Sequence, residues 1–412
     1  MAIDTSSQTK FDVGGILLDQ PFKIRRLGHF GFNVYKLEEC ARFYRDLLGF
    51  RISDVAEFGR RTLPPEVFAA LGSPTTGYFM RYGGDHHAFV LFNRHVTEAR
   101  GGPRKYSEDV TVNQITWQVG SLREVGDSVQ FFNDRQVELQ RTGRDMPGSN
   151  WHTYIYDPDG HTNELFYGME QVGWDGVSKP REMYGRGFRE KPSLPQMAEF
   201  EEVQQALADG VDPMSGYRYV EALPATFDVD GTLLPRPFKI VRIGPVRLFV
   251  NDVDVSTEFY RRVLGFTLTE GIDYDGQRCT FLRSNTEHHS LALYPKSLRS
   301  TLGLSEHSSC MSFGIQVANY RQLCESIRFL RSQGVRIVEL PPELSLGIDY
   351  SAFAIDPEGH AVELYYGMDQ IGWNGQPRPR QLRAESSMGH WPAALEARSD
   401  TFMGEPFLGP WG

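Results

Sequence analysis

Four short stretches share one alternating pattern, and the residue that opens each stretch decides what chemistry it can do. They are His29-Phe30-Gly31-Phe32-Asn33-Val34, Gln114-Ile115-Thr116-Trp117-Gln118-Val119, Pro245-Val246-Arg247-Leu248-Phe249-Val250 and Ser312-Phe313-Gly314-Ile315-Gln316-Val317. The imidazole of His29 can carry a proton or bind a metal, and the amide of Gln114 can donate or accept a hydrogen bond. Pro245 can do neither. A carboxylate recurs behind one turn motif: Asp157-Pro158-Asp159-Gly160-His161 leads to Glu164-Leu165, and Asp356-Pro357-Glu358-Gly359-His360 leads to Glu363-Leu364. Paired histidines also occur twice, as His86-His87 and His288-His289. A lone histidine on a strand is more often a satisfied structural residue; the place of His29 in a fourfold pattern is what singles it out.

Each of these residues needs an element to aim it. A strand turns successive side chains to opposite faces. Phe30, Phe32 and Val34 therefore form an apolar face fit to pack on a helix, while His29, Gly31 and Asn33 form a small, polar face like the lining of a cavity. After this strand Cys40, Phe43, Tyr44, Leu47 and Leu48 recur with helical spacing, and Gly49 sits where a helix would end. Alternating runs follow at Tyr78 to Tyr82 and Ala88 to Phe92. The Gln114 strand again precedes a helix, with Val125, Val129 and Phe132 inward. A hairpin joins Trp151–Tyr156 to Thr162–Tyr167 across the Asp-Pro-Asp-Gly turn. If the hairpin loop has an odd number of residues, Tyr154 and Glu164 share a face. The Asp-Pro turns themselves are folding signals.

The chain duplicates this arrangement. Phe11-Asp12-Val13 and Pro21-Phe22-Lys23-Ile24 return as Phe227-Asp228-Val229 and Pro237-Phe238-Lys239-Ile240. The second half has helices predicted over Thr257 to Leu264 and Tyr320 to Leu330. An extra loop lies in the first copy around Gly59 to Thr76. Each half divides again, so one strand-helix-strand-strand-strand unit occurs four times: an α+β fold of four βαβββ modules paired into two barrel-like domains. The boundaries are residues 1–172 for the first pair, 173–226 for a Gly-, Pro- and charge-rich linker or wrapping arm with a helical pattern near Met197 to Ala208, 227–375 for the second pair, and 376–412 for a tail.

With 412 residues, 40% of them hydrophobic and 12% aromatic, the chain can bury a large core. A net charge of −10 without a long basic run argues against nucleic acid or an anionic membrane as partner. No apolar stretch approaches a membrane span, and residues 1–10 lack the apolar core of a secretory signal. Cys40, Cys279, Cys310 and Cys324 are far apart and outside any CxxC spacing, so neither a disulfide framework nor a zinc knuckle is indicated. These features read as a cytoplasmic protein.

Four such modules, ending in Asp-Pro-[Asp/Glu]-Gly-His-x-x-Glu-Leu, resemble the vicinal oxygen chelate superfamily, which includes glyoxalase I, bleomycin-resistance proteins and type I extradiol ring-cleaving dioxygenases. The resemblance covers roughly Pro21–Gly168 and Pro237–Gly367 and is closest to the ring-cleaving branch. It implies a metal held by His29, Gln114 and Glu164, with Val90 at a fourth position where a glyoxalase would place a carboxylate. Valine there leaves that side open for substrate and O₂, as non-haem Fe(II) oxygenases require. The matching residues of the second half, Pro245, Ala292, Ser312 and Glu363, cannot form such a site, so that half reads as structural. His87 and Tyr154 fall where the ring-cleaving branch carries an acid/base histidine and a tyrosine near the metal; strict alternation would favour His86 over His87. Phe353 replaces the tyrosine in the second half. Gln114 stands where those enzymes usually have a second histidine, and an amide oxygen is a weaker, harder donor than imidazole.

The resemblance therefore implies an Fe(II)-dependent extradiol-type dioxygenase, acting with O₂ on a catechol-like or other polar dihydroxy-aromatic ring and assembling as a homo-oligomer. The polarity of Gly31, Asn33, Thr116 and Gln118 at the expected cavity floor points to a polar ring. The alternatives are a glyoxalase-like lyase or isomerase using Mn, Zn or Ni, and a non-catalytic small-molecule-binding protein of the same fold. Modules one and four could also pair, which would join His29 to Glu363 instead of Glu164.

Overall fold

The computed structural model describes residues 10–72, 74–101, 108–144, 147–148, 150–173, 175–184, 194–371, 374–383 and 387–395. The expected N-terminal segment and most of the tail lie outside these residues. Among the described residues no helix is long and apolar enough to cross a membrane, and the four cysteines are free thiols.

The first half opens with a small hairpin of β1 (Phe11–Val13) and β2 (Ile16–Leu18), then runs through β3 (Ile24–Val34), β4 (Arg51–Glu57), β5 (Thr76–Arg81) and β6 (Phe89–Asn93). It continues through β7 (Val112–Val119), β8 (Leu139–Arg144), β9 (Trp151–Tyr156) and β10 (Thr162–Tyr167). These last eight strands form one sheet in the order β4-β5-β6-β3-β7-β10-β9-β8. The long strands β3 and β7 meet antiparallel at its centre and join modules one and two; β6 runs parallel to β3 and β10 parallel to β7. The sheet is open, with β4 and β8 at its edges, so it curves without closing into a barrel.

The second half repeats this with a hairpin of β11 (Phe227–Val229) and β12 (Thr232–Leu234), followed by β13 (Ile240–Val250), β14 (Thr267–Tyr274), β15 (Gln277–Arg283) and β16 (Leu291–Pro295). Its other strands are β17 (Cys310–Val317), β18 (Ile337–Val338), β19 (Ser351–Ile355) and β20 (Ala361–Tyr365). They are ordered β14-β15-β16-β13-β17-β20-β19-β18. The repeat read from sequence is thus a repeat of topology.

Helices cover the sheets where the periodicity places them. In the first half α1 (Leu37–Arg42) runs into a π-helical turn, Phe43–Leu48, which ends at Gly49 in a left-handed conformation (φ 92°). Two short helices, α2 (Gly59–Thr62) and α3 (Pro65–Ala70), build the insertion, and α4 (Arg94–Arg100) follows β6. Helix α5 (Leu122–Asp134) takes its N-cap from Ser121 and turns Val125, Phe131 and Phe132 inward. The linker contains α6 (Glu199–Ala208).

One expectation changes. The apolar face of β3 packs on the second sheet as well as on a helix. Phe30 stacks on Phe313 at 4.6 Å, and Phe32 stacks on His360 at 3.9 Å. A single hydrophobic core consequently runs through both halves.

Candidate metal centre

The pairing registers bring the predicted residues into one cross-strand row. His29 on β3 faces Thr116 on β7, Thr116 faces Glu164 on β10, Glu164 faces Tyr154 on β9, and Tyr154 faces Arg141 on β8. Gln114 is one same-face step along β7, opposite Gly31. Modules one and two therefore share the site, and His29 meets Glu164; Glu363 is elsewhere.

At the floor, His29 Nε2 lies 3.0 Å from Glu164 Oε2. Both side chains are buried. Thr116 Oγ1 donates to the same oxygen at 2.7 Å, and Asn150 Nδ2 donates to Oε1 at 2.8 Å. Burial pushes the Glu164 carboxyl up. The His29 charge and hydrogen bond, the His152 charge and the Thr116 hydroxyl outweigh it and hold the carboxyl down to about 2. The carboxylate is thus ionised and oriented by groups that are not themselves acids.

His87 packs edge-on against His29, with ring centroids 4.4 Å apart, while its Nδ1 lies 3.1 Å from Nδ1 of His86. Burial, then the neighbouring His29 and His86, push the His87 imidazole far below its ordinary value, so it is neutral near pH 7. His86 turns away toward Asp54. The arrangement has a copy in the second half, where His288 Nδ1 and His289 Nδ1 are also 3.1 Å apart. The histidine pair therefore belongs to the fold, and in the first half His87 borders a cavity.

That cavity has a volume of about 370 Å³ and is lined by His29, His87, Gln114, Tyr154 and Asn150 at its base. Its walls are Phe58, Phe79, Phe92 and Val96, with Arg61, Arg100, Arg141 and Arg144 around them. The expected polar floor is only partly present. Gln118 is engaged by Arg26 at 2.6 Å, and Asn33 accepts from Asn113 at 2.9 Å and from Thr97 at 3.1 Å, so neither amide lines the cavity. The insertion contributes Arg61, Thr62, Thr75 and Thr76 to the wall. Its length difference from the second copy was the only sequence signal of that role.

The second half closes the equivalent space. Arg247, 216 positions after Gly31, grips Glu363 with Nη2 at 2.8 Å and Nε at 3.0 Å. Its Nη1 donates to Tyr294 at 2.7 Å and to the Leu344 carbonyl at 2.9 Å. Both members of the pair are fully buried. Nothing in the periodicity singled out Arg247, because the strand pattern predicted only which face it would occupy.

The first-half donors suit a divalent ion. Among the described residues no cluster of three His, Cys, Asp and Glu side chains could hold one, so the third protein donor would be the Gln114 amide. A separation of 3.0 Å between His29 Nε2 and Glu164 Oε2 is about that of neighbouring ligands on an ion with bonds of roughly 2.1 Å. His29 Nδ1 is buried with no hydrogen-bond partner, so this imidazole is not satisfied by protein alone. One carboxylate with two neutral donors leaves open positions, which matches the facial arrangement of oxygen-using iron centres.

Comparison with known proteins agrees with this fold. The family model described as Glyoxalase/Bleomycin resistance protein/Dioxygenase superfamily matches residues 26–165 and 242–364. Metapyrocatechase 2 of Cupriavidus necator is 30% identical over 137 residues, which make up 33% of this chain and 34% of that protein. The match thus spans about a third of that relative's length. Among solved structures, the 2,3-dioxygenase LapB of Pseudomonas sp. KL28 superposes with a TM-score of 0.54 at 15% identity, over 86% of this chain and 96% of that one. The Mn(II)-bound glyoxalase of Novosphingobium aromaticivorans superposes with a TM-score of 0.53 at 14% identity, over 88% of this chain and 90% of that one.

Proposed function

Because the chain belongs to the glyoxalase/bleomycin resistance protein/dioxygenase superfamily, we propose that it is an Fe(II)-dependent extradiol-type dioxygenase acting on a dihydroxy-aromatic ring. The observation that carries this reading is the asymmetry between the halves. Where Arg247 fills the second hollow and neutralises Glu363, the first keeps Gly31, an ionised Glu164 and an open cavity. In this reading His29, Gln114 and Glu164 hold the metal, with Thr116 and Asn150 fixing the carboxylate. When bound, the iron supplies Lewis acidity toward the two diol oxygens and an electron path between diol and O₂. Phe58, Phe79 and Phe92, packed on one another, give the ring one apolar wall that excludes water. The Nδ1 of His87 faces the Nδ1 of His86; in the tautomer in which His87 donates there, its Nε2 is the nitrogen that can accept a diol proton and return it. Tyr154, held in the same cross-strand row, orients the substrate oxygens through its hydroxyl.

The test is anaerobic loading with Fe(II), followed by oxygen-electrode measurements with catechols, hydroquinones and hydroxypyridines and by metal analysis. Wild-type protein and Glu363→Gln should take up one equivalent of metal and consume O₂ with a suitable diol, while His29→Ala and Glu164→Gln should do neither. Metal retention by His29→Ala, or a loaded enzyme inert to every diol, rejects the reading. The amide at position 114 favours one competing activity, a glyoxalase-like isomerisation, which would turn over without O₂ when loaded with Mn, Zn or Ni.

A further inference from the structure

Away from the cavity, the boundary between the two halves gathers three cations around one lysine nitrogen. Lys23 lies just before β3, Arg25 lies on β3, and Arg283 ends β15 of the other half. The Lys23 ammonium crosses the boundary to donate to the Ser284 carbonyl, and it stands 3.3 Å from the carbonyl of Ile24. Arg25 is almost wholly buried. Its Nη1 donates to the Lys23 carbonyl at 2.8 Å, its Nη2 is 3.6 Å from Glu124 Oε1, and its Nε is buried without a partner. Glu124 spends its other oxygen on the Lys23 backbone N–H at 2.9 Å. Arg283 donates from Nη1 to the Thr269 hydroxyl at 3.0 Å. Among the described residues no carboxylate pairs with the Lys23 ammonium or with Arg283, so three cations share the single acid Glu124.

This setting favours the amine over the ammonium. Burial, then the charges of Arg25 and Arg283, bring the Lys23 pKa down to about 8. At pH 7 about a tenth of the side chain is therefore neutral, against less than about one part in a thousand for an ordinary lysine. A neutral lysine nitrogen is a nucleophile, and Lys23 is only partly buried, so a small electrophile can reach it. The neighbours decide which product would be held. The Ser284 carbonyl needs an N–H to remain on the nitrogen, and the guanidiniums need an anion. An amide supplies the N–H without the charge, and an imine supplies neither. A carbamate supplies both.

We propose that Lys23 is a carbamylation site, at which its amine adds carbon dioxide and the resulting carbamate is held across the boundary by Arg283. The nitrogen lone pair forms the N–C bond, one C=O π pair of the carbon dioxide moves onto oxygen, and one nitrogen proton leaves to solvent. Nothing is oxidised or reduced. The product is planar and carries one negative charge. Its remaining N–H keeps the Ser284 carbonyl, and its two oxygens match the fork of a guanidinium. A contact that repels is thereby exchanged for one that attracts, which makes the joint between the halves responsive to carbon dioxide. The duplicate position, Lys239, is exposed and serves as an internal control. The site is separate from the metal centre and independent of the ring-cleavage reading.

The test exposes the full chain to ¹³C-labelled carbon dioxide near pH 7.5. Alkylation with a trialkyloxonium salt then converts carbamates to stable esters, which peptide mass spectrometry locates. Lys23 should carry roughly tenfold more label than Lys239, in line with its larger neutral fraction, and Lys23→Met should lose that label. Arg283→Gln should cut the Lys23 label at least about threefold. At fixed pH and ionic strength, raised carbon dioxide should increase the melting temperature of wild-type protein and leave that of Lys23→Met unchanged. Absence of label at Lys23, or equal label at Lys23 and Lys239, overturns the proposal from wild-type protein alone, whatever the variants do. Full label in a folded Arg283→Gln, or label without a rise in melting temperature, overturns the bridge across the boundary and the proposal with it.

Discussion

Gly31 and Arg247 occupy equivalent positions, and their neighbours are matched to them. Gly31 pairs across the sheet with Val90, whereas Arg247 pairs with Ala292. A Cβ at Gly31 would stand 2.3 Å from Val90 Cγ2, closer than two carbons can pack, so a larger residue there requires its neighbour to move. The glycine thus keeps the space beside Val90 clear. Gly31→Arg alone should lower the melting temperature and abolish metal uptake. Adding Val90→Ala, which copies the second half, should recover most of the stability while uptake stays lost; metal analysis beside thermal unfolding checks both. The converse experiment concerns the ion pair. Glu363→Gln strands a buried guanidinium and should cost about 3–5 kcal/mol in chemical denaturation, with metal content unchanged. Around Glu164 the supports are milder. Thr116→Val and Asn150→Ala remove one hydrogen bond each to its two oxygens and should weaken metal affinity about 10- to 100-fold by titration, without unfolding the protein.

At the scale of elements, the β9–β10 hairpin and its copy carry more than a turn. Asp157 accepts from the Tyr260 hydroxyl at 2.9 Å, and Asp356 accepts from the Tyr44 hydroxyl at 3.1 Å. The turn histidines reach across as well, His161 Nε2 to Ser309 Oγ and His360 Nε2 to Thr111 Oγ1, both at 2.9 Å. Each hairpin end is therefore clamped to both modules of the other half, in a pseudo-twofold exchange. Tyr260→Phe and Tyr44→Phe each delete a buried hydrogen bond to a carboxylate and should each cost about 1.5–3 kcal/mol, with the larger loss at Tyr260, whose hydroxyl also accepts from Asn163 Nδ2 at 3.2 Å. A loss at one site alone would contradict the symmetry. In the sequence these turns read as punctuation, because Asp-Pro-Asp-Gly fixes local backbone geometry and says nothing of what packs against it. The hairpin itself, the helix ending at Gly49 and the Tyr154–Glu164 pairing were legible, since periods of 2 and 3.6 residues and a turn signal determine them locally. Arg247 as a plug, Asn150 as a support and the insertion as a cavity wall were not. Each depends on which strand lies opposite, and a single chain's periodicity does not encode that.

At the scale of the molecule, the halves are one folding unit, because the Phe30–Phe313 and Phe32–His360 stacks place the same core on both sides of the boundary. Lys23 marks that boundary electrostatically. Its ammonium, on the first half, donates to the Ser284 carbonyl of the second, and Asn285 Nδ2 donates to the Arg25 carbonyl beside it at 2.9 Å. Burial, then the nearby charges of Arg25 and Arg283, push the Lys23 pKa from 10.5 down to about 8. The folded state thus holds this proton less tightly than the unfolded chain does. Below pH 8 both states are protonated and the strained charge opposes folding. Between pH 8 and 10.5 the unfolded chain binds more proton than the folded one, so this group's contribution to stability rises with pH. The gain amounts to about 1–3 kcal/mol. Lys23→Met removes the titration and should make the protein more stable than wild type at pH 7 by a similar amount, with the difference shrinking toward pH 10. Urea denaturation of both proteins from pH 6.5 to 10 reads this directly, since other titrating groups cancel in the comparison. A constant difference across that range would mean that the ammonium is at ease where it sits and that the boundary between the halves stores no electrostatic strain.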